Sequence, residues 1–329
     1  MTRRGRQLDE NDVRVRARGG SRPRTRVRPK HENAKQGFVT AVDRGRYTCL
    51  VEGREVVAVK ARELGRGSIV VGDRVSLVGD LSGQPDTLGR VVRVQERGSV
   101  LRRTADDTDP VERVIVANAD QLVIVCSLSD PAPQPRFVDR CLVAAYDAGL
   151  SVLLCLTKSD LASPDELLRT YAGLDLDTVV THADGDLDGL RSRLRERTSV
   201  MVGSSGVGKS TLVNQLVPHA RRTVGHVNPV TGQGRHTSSS AVAFPFGDGW
   251  LIDTPGVRSF GLAHVSADDV LAGFPELEEA ALICPDGCPH TAGAPGCELD
   301  AGVTAGRLAT DRVSSLRRLL GSRTGEDGG

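Results

Sequence analysis

The sequence predicts a multidomain chain: a small β-barrel, an α/β phosphate-binding unit whose motifs run in rotated order, and a helical C-terminal part around a metal cluster. Three observations predict it. Val-rich runs separated by Gly and Asp turns fill residues 37–97, "GSSGVGKST" at 203–211 sits between an apolar run and a helical pattern, and "CPDGCPHTAGAPGC" gathers four metal-binding side chains into 284–297. At 329 residues the chain has room for more than one domain.

The first 35 residues carry 12 Lys or Arg against 4 Asp or Glu, although the whole chain has a formal net charge of only +1. "RVRARGGSRPRTRVRPK" has no apolar period that could bury a face, so residues 1–35 are expected to form a disordered Arg-rich arm. Arginine pairs bidentately with phosphate and each neutralised phosphate releases counterions, which suits the arm to nucleic acid; a solvated tail and a transit peptide are the alternatives. No apolar run reaches the ~20 residues of a membrane span and no secretory signal opens the chain, so a cytoplasmic protein without a membrane partner is expected. Thiols stay reduced in that compartment, and Cys49, Cys126, Cys141 and Cys155, all in apolar surroundings, read as packing residues.

From Gly37 the texture becomes "GFVTAV", "YTCLVEG", "REVVAVKA", "GSIVVGDRVSLVG" and "GRVVRVQ". Short strands at this spacing predict a barrel over residues 36–103, of OB or SH3-like type, which pattern alone does not separate. After "LRRTADDTDP" the chain turns α/β. "QLVIVCSL" and "SVLLCLT" are continuous apolar runs, as strands covered on both faces require, and "PRFVDRCLVAAYDAG" between them has helical spacing and ends at Gly149. "TSVMVG" is a further strand, "KSTLVNQLVP" a helix stopped before Pro218, and "AVAFPFGDGWLIDTPG" a hairpin that delivers Asp253 to a strand end. This unit is expected over 104–264. Residues 265–329 hold a helix candidate, the cysteine cluster and an amphipathic "VTAGRLATDRVSSLRRLLG".

Residues Gly203, Ser204, Ser205, Gly206, Val207, Gly208, Lys209 and Ser210 fit GxxxxGK[ST], in which glycines let backbone N–H groups surround phosphates; Thr211 follows in the same turn. Lys209 would reach the β- and γ-phosphates, the Ser210 hydroxyl would bind Mg²⁺, Asp253 would hold that metal through water, and the Gly256 N–H would report the γ-phosphate. "TKSD" supplies Thr157, Lys158, Ser159 and Asp160. The Asp160 carboxylate accepts from N1–H and N2–H of guanine, a donor pair that adenine lacks, so GTP is favoured over ATP, and the Lys158 stem covers the base. Thr157 stands where such elements usually carry Asn, which weakens the inference of a loop brace but leaves the Asp160 contact intact. A second guanine-contacting loop is expected at "VTHADG", with His182 as backbone donor. The chain has 38 Arg and five Lys, and two of those lysines, Lys158 and Lys209, fall in these motifs.

The order is TKSD, THADG, GSSGVGKST, GRHTSS, DTPG: a GTPase rotated so that its second half comes first, which a domain with neighbouring ends tolerates. With these motifs in this order the sequence resembles the circularly permuted ribosome small subunit-dependent GTPase A family (RsgA, or YjeQ), over residues 36 to 320. The resemblance implies an N-terminal OB-fold, a circularly permuted GTPase domain, a C-terminal zinc domain, and a GTPase in late maturation of the small ribosomal subunit, binding GTP or GDP and stimulated by the subunit and its rRNA; a monomer is expected. The segment after DTPG runs directly into the C-terminal part, so nucleotide state is expected to pass there through an order–disorder change of residues 256–265.

Val257 occupies the position after the DTPG glycine where GTPases often carry a water-positioning Gln. Intrinsic hydrolysis is therefore expected at about 10⁻⁴ to 10⁻³ per second, and a partner would raise it by ~10³ or more. His236 of "GRHTSS" is the replacement catalytic candidate, and Thr237 the second magnesium ligand. Cys284, Cys288, His290 and Cys297 form a complete tetrahedral set for one structural zinc. Their spacing, C-x3-C-x-H-x6-C, differs by single residues from the family's C-x4-C-x-H-x5-C. Two other functions are weighed: an RNA-binding scaffold with structurally bound GTP and negligible turnover, which Val257 permits, and an ATPase, which Asp160 disfavours.

Overall fold

The computed structural model describes residues 31–64, 69–104, 111–218, 241–255 and 260–324. Strands β1 (Lys35–Asp43), β2 (Arg46–Val51), β3 (Arg54–Lys60), β4 (Arg74–Gly79) and β5 (Gly89–Val94) form a five-stranded barrel. They neighbour one another in the order β1-β2-β3-β5-β4, and β4 returns to pair with β1 over Lys35–Phe38. The β3–β5 pairing is parallel and the others antiparallel, the partly open Greek-key arrangement of an OB-like barrel. Val39, Cys49, Val51, Val56, Val75, Leu77 and Val91 fill its interior. Burial pushes the Cys49 thiol up to about 12, which leaves it an inert packing group.

Two short strands, β6 (Val100–Arg103) and β7 (Arg113–Ala117), form a separate hairpin. The α/β part follows as β8 (Gln121–Ser127), α1 (Pro135–Asp147), β9 (Ser151–Thr157), α2 (Asp165–Thr170), β10 (Asp177–Val180), α3 (Asp188–Leu194), β11 (Thr198–Val202), α4 (Lys209–Leu216), β12 (Val242–Phe246) and β13 (Gly249–Asp253). Strands β10, β9, β8, β11 and β13 are parallel neighbours, and β12 runs antiparallel to β13. Alternation distributes the apolar runs between two faces, because successive strand side chains point in opposite directions. Leu122, Ile124, Leu154, Leu156 and Val200 pack towards α1, while Val123, Val125, Leu153, Cys155 and Met201 join the core that holds Leu190 of α3 and Leu212 of α4.

Barrel and α/β sheet are continuous. The second half of β1 pairs with β12 through Ala41 and Val242, which produces one eleven-stranded sheet. The ring of Phe38 stacks on that of Trp250 in β13 beside this seam. Beyond it, α5 (Ala267–Leu271), α6 (Pro275–Ala281), α7 (Glu298–Thr304) and α8 (Thr310–Thr324) contribute Val270, Leu277, Leu299, Leu316 and Leu319 to the core around α1. Ser266 caps α5 in a reciprocal box with Asp269. The amphipathic C-terminal stretch takes in the end of α7 and most of α8, with Gly306 in a left-handed φ of 70° in the turn between them. No helix among the described residues is long and apolar enough to cross a membrane.

Candidate nucleotide site and metal cluster

Parallel strands deliver their C-terminal ends to one edge, the place where open α/β sheets bind ligands. Ser127 of β8 lies opposite Thr157 of β9, Val202 of β11 opposite Ile124, and Met201 opposite Asp253 of β13. The loops that leave these ends are 128–134, 158–160, 203–208 and the start of DTPG. Residues 203–210 connect β11 to α4. A Cβ on Gly203 would stand 2.8 Å from the Val125 carbonyl oxygen, so only glycine lets the loop pass this close to β8. Gly208, at the start of α4, has φ 92°, a left-handed turn that feeds the chain into the helix. Ser205, Gly206, Ser210 and Thr211 are exposed at this edge, whereas Val207 and Lys209 are buried.

The base-reading element and the phosphate loop are joined directly. The Thr157 hydroxyl donates to the Val207 carbonyl at 2.6 Å and lies 3.4 Å from that of Cys126. A brace is therefore present despite the missing Asn: a β-branched hydroxyl at the end of β9 is close enough to do that work. Lys158 adopts a left-handed φ of 62°, and its ammonium donates to the Gly206 carbonyl at 3.0 Å and to that of Asp130. Ser159 N–H donates to the Thr181 carbonyl at 3.3 Å, which brings the 181–185 loop beside TKSD. Asp160 and His182 are both exposed there.

Lys209 is 9% exposed along its side chain and forms an ion pair with Asp253. The Thr254 hydroxyl, itself buried, donates to the Met201 carbonyl at 2.7 Å and fixes the chain that leaves β13. The site thus contains a cation set among phosphate-loop amides, a carboxylate beside it, and a separate exposed carboxylate at the TKSD end. That arrangement can accept a polyanion with a divalent cation at one end and a hydrogen-bonding base at the other. Gln134 was not legible as a site residue; its side-chain oxygen accepts from the Ser204 hydroxyl at 2.9 Å. Nothing in sequence pairs positions so far apart. His236, Thr237 and Gly256 lie outside the described residues.

Cys284, Cys288, His290 and Cys297 place one ligand atom each within 4.8 Å of all the others. Tetrahedral ligands bonded at about 2.3 Å (S) and 2.0 Å (N) stand somewhat under 4 Å apart, so the three thiols and imidazole fit a metal such as zinc after small adjustments. The single-residue differences in loop spacing do not keep the four groups apart. Cys284 Sγ accepts from the Glu298 N–H at 3.3 Å, and Arg317 holds the His290 carbonyl at 2.9 Å and Asp300 at 2.8 Å. Such outer contacts orient ligands.

Comparison with known proteins agrees with this geometry. Residues 94–263 match the family model described as RsgA GTPase. A relative from Chlorobaculum parvum named small ribosomal subunit biogenesis GTPase RsgA is 36% identical over 283 residues, covering 83% of this chain and 91% of that protein. One of the same name from Pseudomonas aeruginosa is 40% identical over 265 residues, 78% and 76% of the two chains. The crystal structure of YjeQ from Thermotoga maritima superposes with a TM-score of 0.65 at 26% identity, covering 89% of this chain and all of that one. YloQ, described as a circularly permuted GTPase, superposes at a TM-score of 0.63 over 91% of this chain and 98% of its own, and at 22% identity supports the fold.

Proposed function

The chain belongs to the RsgA GTPase family, and from that premise we propose that it hydrolyses GTP to GDP and phosphate as a biogenesis factor of the small ribosomal subunit. The observation that carries the reading is the Thr157–Val207 hydrogen bond, which joins a guanine-selective element to a phosphate loop across the rotated chain order.

In this reading Asp160 accepts from the guanine edge, the Lys158 stem lies along the base, and the His182 amide completes that end. Backbone groups of residues 203–211 surround the phosphates. Lys209, which pairs with Asp253, would reach the β- and γ-phosphate oxygens, and Ser210, Thr237 and, through water, Asp253 would hold Mg²⁺. When bound, Mg²⁺ neutralises charge developing between the β- and γ-phosphates. Gly256 reports the γ-phosphate, and His236 orients the attacking water that Val257 cannot. Cys284, Cys288, His290 and Cys297 hold one zinc, which closes the knuckle between α6 and α7 and leaves no open position for chemistry. The division of labour follows the chain: a barrel over 36–103 and an arm over 1–35 for rRNA, a GTPase over 104–264, and a zinc-bearing part over 265–329, acting as a monomer in the cytoplasm.

GTP turnover measured alone and with purified small subunits, with large subunits and free RNA as controls, tests this. Strong stimulation by small subunits only is expected. Turnover that no ribosomal component raises would overturn it and leave a scaffold with structurally bound GTP.

A further inference from the structure

We infer that Arg140 is a positioning residue for this GTPase: from within α1 it fixes the chain that leaves the DTPG motif and ties it to the last turn of α8. The inference rests on the GTPase reading above. Nine successive residues of α1, Phe137–Ala145, are buried, and Arg140 is among them. A guanidinium in such a place must have its donors satisfied, because an unpaired buried charge is strongly unfavourable. Its Nε donates to the Phe260 carbonyl at 2.8 Å, one terminal nitrogen donates to the same oxygen, and the other donates to the Ser322 carbonyl at 2.8 Å.

Phe260 follows Gly256 by four residues, so its carbonyl is a fixed end for the stretch that reports the γ-phosphate. The anchoring extends further. Phe260, Leu262 and Val265 are buried, and Thr104 N–H donates to the Gly261 carbonyl at 3.0 Å. Releasing three such apolar side chains into water is unfavourable in proportion to the apolar area re-exposed. Residues 260–265 are thus an anchor, and the expected order–disorder change over 256–265 does not extend cheaply into them; residues 256–259 lie outside the described ones. Nucleotide state passes to the C-terminal part through a discrete clamp.

On the α8 side, Ser322 belongs to the last turn, whose carbonyls lack intrahelical donors and carry the negative end of the helix dipole. Asp139, the neighbour of Arg140, meets Arg318 at 3.2 Å, one turn before Ser322. Arg318 also donates to the Thr170 carbonyl at 2.8 Å and lies over the Tyr171 ring at 4.8 Å. The next residue back, Arg317, holds the His290 carbonyl of the metal knuckle. One helix therefore contacts the clamp and the knuckle together.

The test uses the full chain, Arg140→Gln, Arg140→Lys, and a chain ending at Leu320 that lacks the Ser322 carbonyl, assayed with small subunits well below their unfolding temperatures. Arg140→Gln is expected to lower kcat about 10- to 100-fold with KM within about twofold, the signature of a misplaced group rather than lost binding. Arg140→Lys recovers part of it. Hydrogen exchange over residues 290–320 is expected to differ between GDP and a GTP analogue in the parent, and to lose that difference in Arg140→Gln and in the shortened chain. A lowered melting temperature with parental kcat and an unchanged exchange difference would overturn the inference. If Arg140→Gln does not fold, the shortened chain decides by the same criteria. Absence of turnover in the parent would instead overturn the GTPase reading.

Discussion

Phe38 of the barrel and Trp250 of the α/β sheet stack with ring centroids 4.2 Å apart and planes inclined by 18°. Trp250 is the single tryptophan of the chain, three residues before Asp253 on the same strand. Its fluorescence is therefore a reporter of the seam. Phe38→Ala is expected to red-shift its emission and to lower unfolding free energy by about 1–3 kcal/mol, through lost aromatic contact and area. An emission maximum identical to the parent would show that the stack does not hold the seam.

The Thr157 brace is tested by removing a hydroxyl at constant shape. Thr157→Val leaves the Val207 carbonyl without this donor, and GDP affinity is expected to fall about 5- to 30-fold, the 1–2 kcal/mol of a buried bond left unmade. Calorimetric titration checks this. Equal affinity in the two proteins would mean that the phosphate loop holds its shape without β9.

Asp160→Asn replaces an acceptor by a group that also carries donors facing the guanine N–H pair. GTP affinity is expected to drop at least tenfold with ATP binding unaltered, since a site built to hydrogen-bond loses more than one contact's worth when a partner is mismatched. Competition binding with both nucleotides checks it; unchanged selectivity would return the ATPase reading.

Removal of one thiol tests the knuckle. Cys288→Ser is expected to reduce bound zinc from one equivalent to well under one and to lower the melting temperature, because metal binding and local folding are coupled. Elemental analysis with thermal unfolding reads both. Full zinc retention would exclude Cys288 as a ligand.

Burial, opposed by Arg318, holds the Asp139 carboxyl above its ordinary value. The folded chain then binds this proton more tightly than the unfolded chain. Stability from this group is complete below the unfolded value of about 4 and is lost as pH rises through the folded value. Relative to the parent, Asp139→Asn is expected to gain in unfolding free energy as pH rises from about 4 towards neutrality. Urea unfolding at several pH values checks it, and a pH-independent difference would show that Asp139 titrates as it does in the unfolded chain.

Much of this was legible in sequence for a physical reason. Strands covered on both faces, such as β8 and β9, must be apolar throughout, and glycines at a phosphate loop answer to close approach and left-handed turns. The hairpin of β6 and β7 and the edge strand β10 are not legible, being only four or five residues long and of mixed burial without a strict alternation. Barrel type was not readable because strand spacing is local and β4–β1 closure is not. The burial of Asp139 and Arg140 on α1 arises from α8 and the Phe260 segment packed against them, contacts that no local pattern reveals. In the site, the motif positions describable at the sheet edge lie together, and Thr157 compensates for its own departure from Asn.

The seam at Ala41 and Val242 also dictates an order of events during synthesis. All five barrel strands leave the ribosome early, but β12 is made roughly 200 residues after β1, some 10–40 s later at ordinary elongation rates. Through that interval the second half of β1 presents an unpaired edge, the kind that recruits strands from other chains. The nascent protein must keep that edge from a wrong partner until its own hairpin arrives, so elongation speed and crowding on polysomes are expected to bear on its yield.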